Sequence, residues 1–455
     1  MNKKLSFLFF VTSMTAFAQT NPAITAWLRN TTGITGRHYV APSSTPIVDA
    51  VLANVQTVHY DANWVYVAAT GIPAYITGPF QDGNPSFATA QNRIFKIPLN
   101  PTAAGTPTAT TGGNIGIFKN GVALFDYRDG VAWNNATGAI CGGPGNPMCP
   151  GGPGTIQAWN RDAIPAERVG FDCAKAHPAM GNYHHHQNPS AFNLDLVVIS
   201  TVCSTYPSDG LYVINTTQHS PLLGFAYDGF PIYGAYAYTS TNGSGAITRM
   251  KSSYQLRTNT TRVNGPAINQ VAGTQTFFNG YFREDYEYVA HAGDPTFLDS
   301  HNGRVCNTPE YPVSLYPSGI YCYFTTVDAN HNSAYPYVVG PTFYGNVTAS
   351  TVTTVPGGTT TYNPPLGIPT NNLEKLEVII APNPTQDFIA IQTQMAENDL
   401  NVELIDMLGK VIKTSKILQG STLSIIETDT VYNGTYILKI SNETSFKTYK
   451  VVLNK

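Results

Sequence analysis

The sequence predicts a mainly β fold in two parts, a large β-rich domain followed by a small Ig-like β-sandwich. Charged residues make up only 12% of the chain while Tyr (27), Gly (40) and Pro (32) are abundant, a composition that suits turn-rich sheet rather than uniform helix. Its 455 residues exceed the roughly 250 to 300 that one hydrophobic core supports, so two or more folded units are expected. Short runs rich in β-branched and aromatic residues recur between clusters of Gly, Pro, Asn and Asp, as strands joined by turns do.

At the start of the chain, Lys3 and Lys4, the apolar run Leu5 to Val11, and the small residues Ala16 and Ala18 indicate a secretory signal peptide over 1–18, cut after Ala18. Its apolar run falls short of the roughly 20 residues of a membrane span, and no later segment reaches that length, so no transmembrane segment is expected in the mature chain. An N-terminal segment, 19–54, leads into a large domain over 55–348. Strands are expected there at 55–60, 64–67, 93–97, 116–119, 122–127, 194–202, 211–214, 281–289 and 320–327, with turn residues between them. The stretch from Cys141 to Gly154 is dominated by Gly and Pro and cannot hold regular structure, so it reads as a surface loop. Residues 349–372, rich in Thr, Pro and Gly, read as an extended linker. Over 373–455, apolar runs at short regular spacing indicate the small sandwich.

With 25 basic and 28 acidic side chains, a net charge of −3, and no Lys/Arg cluster, nothing is placed to neutralise a run of phosphates, which argues against nucleic acid as a partner. The six cysteines, Cys141, Cys149, Cys173, Cys203, Cys306 and Cys322, are even in number and confined to the central region, as a disulfide framework in an oxidising compartment would be. Neighbour logic favours Cys141 with Cys149, Cys173 with Cys203, and Cys306 with Cys322. Thiolate metal ligation is the rival, though the Cys-x-x-Cys spacing of common zinc sites is missing.

Chemistry concentrates in Cys173-Ala-Lys-Ala-His177-Pro-Ala-Met-Gly-Asn-Tyr183-His184-His185-His186, which holds four of the ten histidines. On a strand, His184 and His186 point one way and Tyr183 and His185 the other. A two-residue turn at Met180-Gly181 would set His177 opposite His184, about 5 Å apart at Cβ, so that three imidazoles converge. The pattern points to a transition-metal site, copper or zinc, held by His177, His184 and His186, since neutral imidazole suits both ions. Asp172 and His301 are candidates for orienting the ligands from behind. The alternatives are a polar network of histidines bonded to carboxylates and carbonyls, and a metal-free contact with a glycan or small-molecule ligand.

Asp228-Gly-Phe-Pro-Ile-Tyr233 reads first as a tight turn with Phe230 and Ile232 in the core. Asp299-Ser-His301-Asn-Gly303 suits a loop cap and a site contribution equally, and His331 resembles a solvated loop residue. No nucleophile elbow, phosphate-binding loop or His-Glu-x-x-His pattern is present. Whether the protein is an enzyme stays open. Catalysis at the histidines would be metal-assisted hydrolysis or oxidation, with Asp228 or Asp299 handling the proton. The competing class is a non-catalytic surface module that binds glycan or matrix through exposed aromatic rings.

Two regions resemble known families. Ala381-Pro-Asn-Pro-Thr385, Glu403-Leu-Ile-Asp-Met-Leu-Gly-Lys-Val411, Asn433-Gly-Thr-Tyr436 and the ending Lys447 to Lys455 resemble the type A sorting domain of the type IX secretion system. The resemblance implies that residues 373–455 engage the type IX secretion machinery after Sec export, and that the protein is secreted or held at the outer cell surface. Gly116-Ile117, Asn120-Gly-Val122, Trp159-Asn-Arg-Asp-Ala163, Asp172-Cys173, His177-Pro178, Gly181-Asn-Tyr-His-His-His186, Gly224 to Gly234, Leu298 to Arg304, Thr308 to Pro312 and Tyr335-Pro-Tyr337, in that order, resemble the YHYH family of secreted proteins. The family name describes Tyr-His-Tyr-His, and here the third position is His185. The alternate histidines are kept, so a site on their face survives and His185 is the dispensable one. This resemblance implies architecture and not a reaction.

Overall fold

The computed structural model of the chain describes residues 21–80, 87–152, 155–191, 201–258, 261–363, 373, 376–393, 396, 398–442 and 445–455. The expected signal peptide, residues 194–200 of one expected strand and residues 364–372 of the expected linker lie outside the described residues.

The large domain is built on an eight-stranded sheet. Its strands run, edge to edge, Ala176–Ala179, Asn182–His185, Ala123–Phe125, Asn114–Phe118, Leu222–Ala226, Pro231–Tyr233, Ile320–Phe324 and Gly303–Cys306. Neighbours in sequence alternate between two cores. Ile117, Leu222, Phe225, Tyr233 and Phe324 enter one cluster together with Val58, Val65, Val67, Phe95 and Ile97. Phe118, Leu223, Ala226, Ile232 and Tyr323 enter the other. Period-two alternation with both faces buried is why these strands read as unbroken apolar runs. The first face meets a five-stranded sheet ordered Ser350–Val352, Arg93–Pro98, Trp64–Ala69, Val55–Tyr60 and Thr360–Thr361. The second is covered by irregular chain carrying Tyr335, Tyr337, Val338 and Phe343. At about 1.5–3 kcal/mol for each large apolar side chain buried, these two cores outweigh disulfides worth about 2–4 kcal/mol each.

Three expected strands differ, the first being 194–202, whose described end, Thr201 and Val202, lies in a 3-10 helix, Thr201–Ser204. Leu211 to Ile214 is irregular, with Leu211 and Tyr212 filling the second core; it is apolar because it is buried, not because it pairs. Residues 281–289 hold a 3-10 turn, Arg283–Asp285, and a short strand, Tyr286–Tyr288. Within the expected linker, 350–352 and 360–361 are extended and form the two edge strands of the five-stranded sheet, pairing with Arg93–Pro98 and Val55–Tyr60, whose unmet backbone groups invite a further strand. Among the described residues α-helix is confined to Pro22–Thr25 and Ala163–Glu167, and no helix is long and apolar enough to cross a membrane.

The tail is the small sandwich. A sheet of Val378–Ala381, Phe388–Thr393 and Leu423–Glu427 and another of Val411–Ile417, Leu400–Ile405, Gly434–Ser441 and Phe446–Leu453 enclose Ile389, Ile391, Val402, Leu404, Leu438 and Ile440.

Cys141–Cys149 and Cys173–Cys203 are bonded as expected. The expected Cys306–Cys322 bond is not formed; both are buried thiols in contact. Cys306 faces Ile320 and Cys322 faces Arg304 across the antiparallel pair. Diagonal neighbours stand farther apart than directly opposed ones, whereas a disulfide needs Cβ atoms about 3.5–4.5 Å apart.

Candidate metal centre

The site begins with a turn. Met180 and Gly181 take φ of 49° and 81°, the two left-handed central positions of a tight hairpin turn. Ala176–Ala179 therefore pairs with Asn182–His185 in the register that sets His177 opposite His184. The second strand lies parallel to Ala123–Phe125, and Cys173–Cys203 staples the approach to the first. Asp172 accepts from the backbone N–H of Gly78, Ala174 and Ala176 and from Tyr183 Oη at 2.8–3.2 Å. It thus fastens the hairpin by its backbone and Tyr183 instead of orienting a metal-site histidine, contrary to expectation.

His177, His184 and His186 converge, with ligand atoms all within 4.8 Å of one another. His184 Nδ1 lies 2.8 Å from Asn182 O and His186 Nδ1 2.6 Å from Asp126 O. A carbonyl only accepts, so both Nδ1 atoms carry the proton and, in the neutral rings, both Nε2 atoms present a lone pair. These Nε2 atoms face each other at 3.0 Å. Such a pair needs either a shared proton or a shared cation. Phe125 stacks on His184 with ring centroids 3.8 Å apart, and Phe171 flanks His177 and His186, so packing fixes the rings.

A fourth group joins them. Asp162 caps the short helix Ala163–Glu167 by accepting from Ile164 N at 2.9 Å, and the helix delivers Glu167 Oε2 to 3.2 Å from His177 Nε2 and 3.3 Å from His186 Nε2. The histidines are 7%, 1% and 4% exposed in chain order and the Glu167 side chain 24%, so Glu167 is the most exposed member of the group although its Oε2 is itself buried. Ligands about 2.0–2.1 Å from a tetrahedral ion stand about 3.3 Å from one another. Three separations, 3.0, 3.2 and 3.3 Å, are of that size, while the three histidine ligand atoms together span up to 4.8 Å, so His177 would have to draw in to complete a tetrahedron.

Burial, with His186 and His177 beside it, pushes the His184 imidazole well below its usual range. Burial also opposes charge on His186, but Glu167 outweighs it and raises that imidazole. Against the upward push of its own burial, the adjacent His177 and His186 rings hold the Glu167 carboxyl below the usual carboxylate range. Imidazoles with converging lone pairs and one carboxylate are a donor set that zinc and copper accept.

The remaining expected residues lie elsewhere. His185 points to the opposite face, with Nε2 2.8 Å from Tyr75 Oη and Nδ1 3.3 Å from Lys175 O, and burial pushes it down to about 3. His301 bonds to Thr342 Oγ1 at 2.6 Å and is outside the histidine group. Asp228 sits in the hairpin turn after Ala226, accepting from Phe230 N, Tyr323 Oη and Gly345 N. Asp299 caps its loop through His301 N and Gly303 N and accepts from Tyr321 Oη. Both carboxylates are engaged in satisfying turns and neither joins the cluster. His331 is buried against Tyr236 Oη at 2.8 Å, not solvated. Trp27, Trp133 and Trp159 are buried and offer no sugar-stacking face. Nothing in the sequence singles out Glu167; its one signal is the Asp162 cap that starts a helix ahead of the histidines.

Residues 379–454 match the secretion system C-terminal sorting domain, a type IX sorting signal that supports secretion to the outer cell surface. The curated proteins contain no match to the chain. Residues 94–336, more than half of the 455, match the family described as YHYH protein; the matched segment contains the whole eight-stranded sheet, Glu167 and the three converging histidines, and the chain belongs to the YHYH protein family.

Proposed function

We propose that this is an exported protein whose YHYH domain binds one transition-metal ion, zinc or copper, through His177, His184 and His186, with Glu167 at the fourth position. The observation that carries this is the pair of Nε2 atoms 3.0 Å apart on rings whose Nδ1–H groups are tied to carbonyls. Metal-bound histidines are oriented in this way by a partner on the far nitrogen. A metal-free network would either hold a proton between the two Nε2 atoms or turn one ring to make another hydrogen bond, because leaving a buried polar atom unsatisfied costs about 1–3 kcal/mol. Here the carbonyl bonds and the Phe125 stack oppose that rotation.

A bound ion would supply Lewis acidity and lower the pKa of a coordinated water. With Glu167 on the ion the site would be closed; a water could bind only where Glu167 leaves, and the freed carboxylate would then be the group to receive its proton, in place of Asp228 or Asp299. Residues 1–18 as signal peptide and 373–455 as sorting tail would carry this domain to the cell exterior. Elemental analysis of protein purified without a polyhistidine tag tests the proposal. About one zinc or copper per chain is expected, and its loss in His184→Ala/His186→Ala; equal metal content in the two proteins would sink it.

A further inference from the structure

Asp209, in the YHYH domain and only 5% exposed, sits in a cradle made by the sorting domain. Its Oδ2 accepts from Ser421 Oγ at 2.7 Å, Thr422 N at 2.6 Å and Leu423 N at 2.7 Å. Its Oδ1 accepts from Thr422 Oγ1 and, within its own domain, from Gly210 N at 2.8 Å. Ser421 and Thr422 are themselves 2% and 1% exposed. The contact extends on both sides. Gly420, at φ +77°, lies so close that a Cβ there would stand 3.2 Å from Asn54 Nδ2, Thr31 Oγ1 bonds to Gln419 at 2.9 Å, and Asn215 bonds to Glu377 at 2.6 Å. A cavity of about 550 Å³ lies along the seam, with Lys119, His219 and Glu310 on the YHYH side and Glu377, Ile379 and Gln392 on the tail side.

Charge-assisted hydrogen bonds are roughly twice as strong as neutral ones, and four of the five to Asp209 come from the tail. If the tail leaves, the carboxylate keeps one donor and must be rehydrated. We infer that Asp209 is the docking residue for the sorting domain. The tail is seated on the YHYH domain, so cutting the chain between them leaves it in place, and its departure is a separate step that uncovers the cleft of Lys119, His219 and Glu310. The inference is independent of the metal site.

The test uses the full chain with a site-specific protease sequence inserted between Pro365 and Leu366. After complete cutting, the two parts of the wild type should co-elute in size-exclusion chromatography, whereas in Asp209→Ala they should separate, with a dissociation constant raised by about 30-fold or more. Ser421→Ala/Thr422→Val removes two of the four tail-side bonds, those from the hydroxyls, and should also weaken the association, which guards against a folding defect at Asp209; circular dichroism should match the wild type. Separation of the wild-type parts on cutting, or co-elution of both variants at the wild-type affinity, would overturn the inference.

Discussion

His184 Nε2 and His186 Nε2 face each other at 3.0 Å, with the far nitrogen of each ring bonded to a backbone carbonyl. Without an ion, one proton must sit in that gap or on the Glu167 side, and the raised pKa of His186 places it there. A metal ion has to displace it. Affinity should therefore fall as pH drops through the imidazole range, by about tenfold per unit for each proton displaced. Competition titrations between pH 5 and about 7.5 measure this; a flat profile would mean that the histidines are not the ligands.

Glu167→Gln should weaken metal binding by about 10- to 100-fold without abolishing it. The isosteric amide keeps the helix end and the three imidazoles but loses the negative charge. The affinity ratio to wild type checks this, and an unchanged ratio would remove Glu167 from the site.

His185 should be irrelevant to metal and relevant to acid stability. Its folded-state pKa of about 3 lies below the unfolded value of about 6.5. Between these values the unfolded chain binds the extra proton, so stability rises with pH across the window and is lost as pH falls towards 3. Every tenfold difference in proton affinity between the two states is worth about 1.4 kcal/mol, so the effect is large for one side chain. His185→Phe should bind metal as the wild type does and show a shallower fall in melting temperature between pH 6.5 and about 4. The same slope in both proteins would contradict the assignment.

Thiol titration of the denatured, unreduced protein should find two free thiols per chain, those of Cys306 and Cys322. None would mean that the third bridge forms after all.

The histidine geometry was legible because two local rules suffice for it: alternation along a strand, and a Met-Gly turn that fixes the register of His177 against His184. Glu167 was not, since its arrival depends on where a five-residue helix lands in space, which no periodicity encodes. Asp228 and Asp299 looked like proton handlers because an aspartate that caps a turn is the same letter as one that catalyses. Leu211 to Ile214 looked like a strand because buried irregular chain is equally apolar. Cys306 and Cys322 are on adjacent strands as neighbour logic suggests, but one diagonal step in register separates contact from bonding.

The most direct measurement is a calorimetric titration of chelator-treated, untagged protein with zinc and with copper, alongside His184→Ala/His186→Ala. A single site per chain in the wild type, accompanied by proton release and missing from the variant, is the predicted result. No binding in the wild type, or the same single site in the variant, would contradict a metal centre at these histidines.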